Sequence, residues 1–227
     1  MEKMTDYMDV EEIITELFFG LIMALNIGNI MRLALIDQSD AFILSVITFA
    51  ILGGNLAWGL ADGAMNALAR NVRLHHEHNT LEHLSRLEDE EEARTEARRI
   101  VRDGMPPLQA DLVDDRIVDI MAVHLIERVR EKKMPHPSIG AEGWVVLFSS
   151  ILLNLVAALP ILMVWYLVGS ESVNAATLIS NVVGMVFLFF LGLSMGRRAS
   201  GRLNVFAGLA MTCVGLAIVA LVTFVEG

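Results

Sequence analysis

GGNLAWGLADGAMNALAR, residues 53–70, places Asp62 inside a stretch otherwise apolar enough to cross a membrane. At about 100° per residue, Asn55, Gly59, Asp62 and Asn66 fall on one stripe of a helix, with Trp58 and Met65 at its edge. A carboxylate at membrane depth costs about 2.5–3.5 kcal/mol on insertion scales, so it persists where it faces protein, water or an ion. The acid therefore marks a functional stripe, and the chain around it decides the fold.

Working outward, 55% of the residues are hydrophobic and the mean hydropathy is +0.56, with the apolar residues blocked into long runs. That pattern is expected of an integral membrane protein. A hydrocarbon core of about 30 Å needs roughly 20 helical residues. Five windows meet that length: 13–36, 41–69, 144–168, 173–195 and 203–225. The expected fold is an all-α membrane protein with five transmembrane helices and a helical cytoplasmic insert between helices two and three. Residues 1–69 carry the N-terminal tail and the first two spans, 70–141 the insert, and 142–227 the last three spans.

Charge placement orients the chain. Sixteen of the 17 Lys and Arg residues fall on one side of such a topology, Arg32 being the exception. Lys3, the flanks of the insert (Arg70, Arg73, Lys132, Lys133) and the short segment holding Arg197, Arg198 and Arg202 are then cytoplasmic, with the C-terminus outside. The first 12 residues are acidic and lack the basic start of a secretory signal, which predicts a retained N-terminus. These features predict an integral membrane protein with its N-terminus and insert in the cytoplasm.

The formal charge of −10 excludes general nucleic-acid binding, which needs a basic surface. Cys213 is the only cysteine, which leaves no disulfide within the chain and no cysteine cluster for zinc, and it reads as a packing residue. No G-x-S-x-G, H-E-x-x-H or Walker A stretch occurs, so no enzyme and no tightly bound cofactor are expected. Transport, if it occurs, is passive or coupled to an ion gradient.

In the insert, 71–101 has leucines at 74, 81, 84 and 87 amid charge and no proline or glycine, which predicts a helix continuing from the second span. Gly104, Pro106 and Pro107 break it, 112–131 repeats apolar residues at helical spacing, and Pro135, Pro137 and Gly140 mark the return to the membrane. So small a helical unit is expected to pack against a partner copy or the membrane helices. Small residues at Gly184, Gly192, Ser194, Gly196, Ala207, Gly208 and Gly215 suit close helix packing, while Pro160 interrupts the third span near Ser150 and Asn154. An odd span count forbids a complete inverted duplication, so two-fold symmetry would come from a homodimer.

Three constellations carry chemistry. Glu16, Gly20, Met23 and Ile27 share a face of the first span, with Asn26 about 80° away. Glu16 is either an interfacial carboxylate reaching headgroup water or, with Asp62 on the adjacent antiparallel helix, one wall of a pathway. Carboxylate and amide oxygens favour hard divalent cations, while the sulfurs of Met23 and Met65 favour softer ones, a mixture suited to Fe²⁺ or Mn²⁺. A buried acid that exchanges a proton for a cation is the physical basis of antiport. In LHHEHNTLEH, His75, His78 and Glu82 share a helical face, either as a transition-metal site or as solvated side chains. Glu88, Glu91 or Glu92, and Glu96 stack along one face of the same helix, either as a solvated acidic run or, across a dimer, as a cation collector.

The stretches ELFFGLIMALNIG (16–28), GGNLAWGLADGAMNALAR, LVAALP (155–160) and SNVVGMVFLFFLGLSMGRR (180–198) resemble the vacuolar iron transporter family, more closely its shorter prokaryotic members. The resemblance implies a dimer that moves Fe²⁺ and related divalent metals out of the cytoplasm against protons. It implies roles for Glu16 as the first-span acid, Met65 as the second-span methionine, and Glu88, Glu91, Met121 and Glu127 as insert ligands. The family's second-span acid corresponds to Asp62 or, in its usual spacing from the methionine, to a position near Asn55 or Ala57. A membrane scaffold or metal sensor whose cytoplasmic helices bind a partner is the other reading the residues allow.

Overall fold

The computed structural model describes residues 8–131 and 140–225. Lys3, Lys132, Lys133, Pro135 and Pro137 lie outside the described residues. The described chain is all helical: α1 (Val10–Ala34), α2 (Asp40–Arg86), α3 (Glu90–Asp103), α4 (Pro107–Ala110), α5 (Asp115–Glu131), α6 (Ala141–Val168), α7 (Val173–Ser200) and α8 (Val205–Val225). Four of these helices, α1, α2, α6 and α7, are long and apolar enough to cross a membrane, and the apolar part of α8 at Val205–Leu221 is shorter. The chain divides into two compact units, one built from α1, the first part of α2 and α6–α8, the other from the rest of α2 with α3–α5.

Local chemistry fixes the helix ends. The Asp9 N–H donates to the Glu12 carboxylate (3.0 Å) at the start of α1, occupying an end group that has no intrahelical partner. Ser172 caps α7 by accepting from the Ala175 N–H, and Gly201 closes it in the left-handed region (φ 68°), which glycine adopts without a Cβ penalty. Pro160 sits inside α6 without ending it.

In the membrane unit α1 is the central element: half of its most apolar stretch is buried, against 22% for α2. Leu21, Ala24 and Leu25 of α1 share a core with Ile47 and Ile51 of α2, Ala158, Ile161 and Trp165 of α6, Ala176 of α7 and Val219 of α8. The outer faces carry Phe49, Tyr166, Leu178 and Phe206 in full exposure, a surface that lipid covers and water would not tolerate. Cys213, expected to pack inside, is instead exposed on α8. An apolar thiol suits a lipid-facing position as well as a core, so composition alone did not separate them.

Without a hydrophobic drive between helices in lipid, association depends on close backbone approach and hydrogen bonds. Three glycines provide the approach. A Cβ built on Gly20 would lie 2.9 Å from the Asn154 Cα, one on Gly59 2.7 Å from the Ile151 Cα, and one on Gly63 2.9 Å from the Leu147 carbonyl oxygen. Glycine therefore seats α1 and α2 directly on the backbone of α6. A reciprocal amide pair, Asn29 with Asn181 (2.9 and 3.1 Å), joins α1 to α7 farther along.

In the second unit the expected continuous helix over 71–101 does not form. It stops at Arg86 and restarts at Glu90. The cause is Asp89, whose carboxylate accepts from the backbone N–H groups of Glu91 (2.8 Å) and Glu92 (3.1 Å). A short acidic side chain that bonds its own downstream backbone starts a new helix without proline or glycine. The helix expected over 112–131 begins three residues later, at Asp115, where Asp114 accepts from the Arg116 N–H. α3 and α5 then pack through Ala93, Ala97 and Ala122 with Leu84, and Arg98–Asp119 (2.9 Å) and Arg102–Asp115 pair along their length.

Candidate functional site

Glu16 is 3% exposed, two turns into the first apolar helix. Its Oε1 accepts from the Ser150 hydroxyl (2.6 Å) and its Oε2 from the Asn154 amide (2.6 Å), both on α6. Asp62 of α2 lies close enough to interact electrostatically with the same carboxyl. The Asn66 amide, one turn on, donates to Asp62 Oδ2 (3.1 Å). Three helices thus converge two acids and three polar donors, and the glycines described above are the positions that let them close. Gly20 lies one turn after Glu16 and faces Asn154, while Gly59 and Gly63 flank Asp62 and face the turn holding Ser150.

The arrangement is rich in oxygen. Beyond its bond to Glu16, the Asn154 amide also donates to the Ser150 carbonyl (3.0 Å), which fixes its orientation and leaves Oδ1 buried with no hydrogen-bond partner. Asn55 is fully buried, its amide nitrogen spent on the Ile51 carbonyl (2.9 Å), and its Oδ1 is unpartnered too. So is Asn26 Oδ1. Phe19 meets Trp58 and Ile27 meets Gly54, so α1 and α2 run antiparallel with Asn26 and Asn55 at one level. Gly59 against Ile151 puts Asn55 near the level of Asn154 on α6. Buried acceptors of this kind are rare and call for a donor or a cation.

Glu16, Asp62 and Asn66 are therefore brought together, with Asn55 and Asn26 on the same helices farther along. Met23 is half-buried on α1, whereas Met65 is 64% exposed. Ser150 and Asn154 hold Glu16 and were absent from the expected site. Their signal was two polar residues four apart in an apolar run, which by itself does not say which carboxylate they meet.

The insert behaves differently. His75 donates from Nδ1 to the Asn71 carbonyl (2.9 Å), since a carbonyl can only accept, and Glu82 pairs with Arg86 (2.5 Å). His78 is half-buried on the same helix. Glu88 falls in the break before α3, so it does not stack with Glu91, Glu92 and Glu96 as a continuous helix would require. Glu91 and Glu92 stand in the first turn of α3, where the helix dipole favours negative charge. Glu96 takes two hydrogen bonds from Arg99 (2.9 and 2.6 Å), which hold its carboxyl below the ordinary range. His83, Asp89, Glu91, Glu92 and Glu96 line an open cleft of about 390 Å³. Among the described residues, no three His, Cys, Asp or Glu side chains gather closely enough to hold a metal ion. Met121 and Glu127 are exposed on α5, where Glu127 lies 3.8 Å from His124.

No protein-family model matches the chain, and no curated protein gives a significant match. Function is therefore argued from the site itself.

Proposed function

We propose that the chain is a proton-coupled transporter that moves a divalent transition metal, Fe²⁺ or Mn²⁺, out of the cytoplasm. The observation that carries this reading is Glu16, an acid buried in the first apolar helix, held by Ser150 and Asn154 and faced by Asp62. Two neighbouring carboxylates repel one another, which favours a proton held between them. A divalent cation arriving at the pair takes the place of that proton, is ligated by the same oxygens, and leaves when a proton returns. Hard carboxylate and amide oxygens suit Mn²⁺ and Fe²⁺, and Met23 is the nearest soft donor on the α1 face of Glu16.

In this reading α8 is the fifth span, since 21 residues rise about 31 Å. The N-terminus and insert are cytoplasmic, the C-terminus is outside, and the functional form is a homodimer in a prokaryotic cell membrane. The exposed Ile117, Ile120 and Met121 of α5 are the surface available for a partner copy. The same apolar residues support the second reading, a scaffold or sensor whose insert binds another protein.

Proteoliposomes with a pH-sensitive dye inside separate the two. Fe²⁺ and Mn²⁺ should drive proton movement with the wild type, and Glu16→Gln and Asp62→Asn should each abolish it. Unchanged metal-driven proton movement in both variants, or none in the wild type, defeats the transport reading.

A further inference from the structure

A cleft of about 370 Å³ opens between α7 and α8, lined by Gly192, Gly196, Ala199, Ala207, Ala210 and Val214 among others. Its walls are almost wholly carbon. Gly192 is unable to take a Cβ because Ala207 O and Gly208 Cα would lie 2.5 and 2.8 Å away, so the two helices meet backbone to backbone there. From Asn204 to Val214 the cleft follows ten residues of α8, about 15 Å along the helix axis. Asn204, its one polar lining side chain, sits at the end nearest the α7–α8 turn.

That end is strongly basic. Arg197, Arg198 and Arg202 surround the turn, all exposed. Arg198 is committed to Glu11 through a 2.8 Å ion pair. Arg197 and Arg202 form no ion pair among the described residues; Arg197 follows the lining residue Gly196 in sequence, and Arg202 precedes the lining residue Asn204 by two. An apolar slot along α7 and α8, also lined by Phe18 of α1, with two exposed arginines in the turn at one end, has the charge and shape of one occupant. We infer that this cleft holds an anionic glycerophospholipid, its phosphate at Arg197 and Arg202 and one acyl chain lying along Ala199, Ala210 and Val214. Guanidinium pairs phosphate oxygens bidentately, and a choline headgroup, though it has the same phosphate, brings its own cation against the two arginines, so net negative charge is what favours the anionic lipid. The inference needs only a membrane-embedded chain and does not depend on transport.

The test uses the full chain purified in micelles containing equal phosphatidylglycerol and phosphatidylcholine, read by native mass spectrometry. The wild type should retain phosphatidylglycerol preferentially, and the preference should fall about fivefold for each of Arg197→Gln and Arg202→Gln. Ala210→Phe, which fills the slot from an exposed position, should remove retained lipid while circular dichroism shows the helices intact. Excess inorganic phosphate should not displace the lipid. Equal retention of the two lipids by the wild type, an unchanged preference in the double arginine variant, or displacement by phosphate alone overturns the inference. So does crosslinking of Ala210→Cys between chains in nanodiscs, which would put a second copy on this face.

Discussion

Replacing Gly59 by alanine and Gly53 by alanine makes the same chemical change on one helix in two different surroundings. At Gly53 a Cβ meets nothing within 4 Å, so the exchange keeps only its intrinsic effect, a gain of about 0.5–1 kcal/mol in helix propensity. At Gly59 the Cβ would lie 2.7 Å from Ile151 Cα and 3.1 Å from Ser150 O, both backbone atoms that no rotamer change can move. Overpacking of this kind costs about 1–3 kcal/mol. The two variants should therefore differ by about 1–3 kcal/mol, Gly53→Ala at or above wild type and Gly59→Ala below it. Reversible SDS unfolding in mixed micelles, followed by far-UV circular dichroism, measures both. The shift also has a direction, because moving α2 off α6 at Gly59 draws Asp62 away from the turn that holds Ser150. Metal-driven flux should fall in Gly59→Ala and persist in Gly53→Ala. Equal stability of the two variants would refute the claim that glycine sets the α2–α6 distance.

Three further outcomes follow from the same geometry. Ser150→Ala leaves Glu16 Oε1 buried with a donor removed, which should cost about 1–3 kcal/mol in the same unfolding assay. Asp89→Ala removes the cap that starts α3 and should destabilise the insert by about 0.5–2 kcal/mol, read as faster amide exchange over 90–97 in the full chain. Glu96, whose carboxyl is held low by Arg99, contributes stability above its ordinary value of 4.5 and loses it as pH falls through the depressed folded value. The pair is solvent-exposed, so the acid-side loss should be small, and Glu96→Gln should remove it from a pH series of unfolding midpoints.

The apolar runs made the membrane helices readable because burial in lipid is a property of each helix alone. Four long apolar helices and a shorter apolar one fall on the five windows. Asp62 and Glu16 stood out for the same reason, as single residues contradicting their own segments. What a single segment does not encode is its partner. Ser150 and Asn154 find Glu16 only because Gly20 and Gly59 let three helices meet, and nothing within residues 141–168 announces it. The break at Asp89 was hidden for a local reason. An acidic run without proline or glycine has good helix propensity, and one side chain's choice between solvent and the backbone N–H of Glu91 decides where the helix restarts.

The unsatisfied polar atoms bear on both proposed readings of the acid pair. A scaffold that used Glu16 only to fix α1 against α6 would be complete once Ser150 and Asn154 had donated to it. It would have no use for further acceptors, since each buried oxygen without a donor costs about 1–3 kcal/mol. Asn26, Asn55 and Asn154, one on each of the three helices that build the site, all bury an amide oxygen with no protein partner, and Asn71 Oδ1 and the Trp165 indole nitrogen are in the same position elsewhere. Neutral oxygens bind a cation more weakly than carboxylates do, and a conduction step requires binding favourable enough to enter and weak enough to leave. On the transport proposal, a pair of acids followed by amide oxygens on the same helices would grade the interior in that sense. The cost of leaving those oxygens unpaired is offset by any ligand that reaches them, an ordered water or, on the transport proposal, the cation itself.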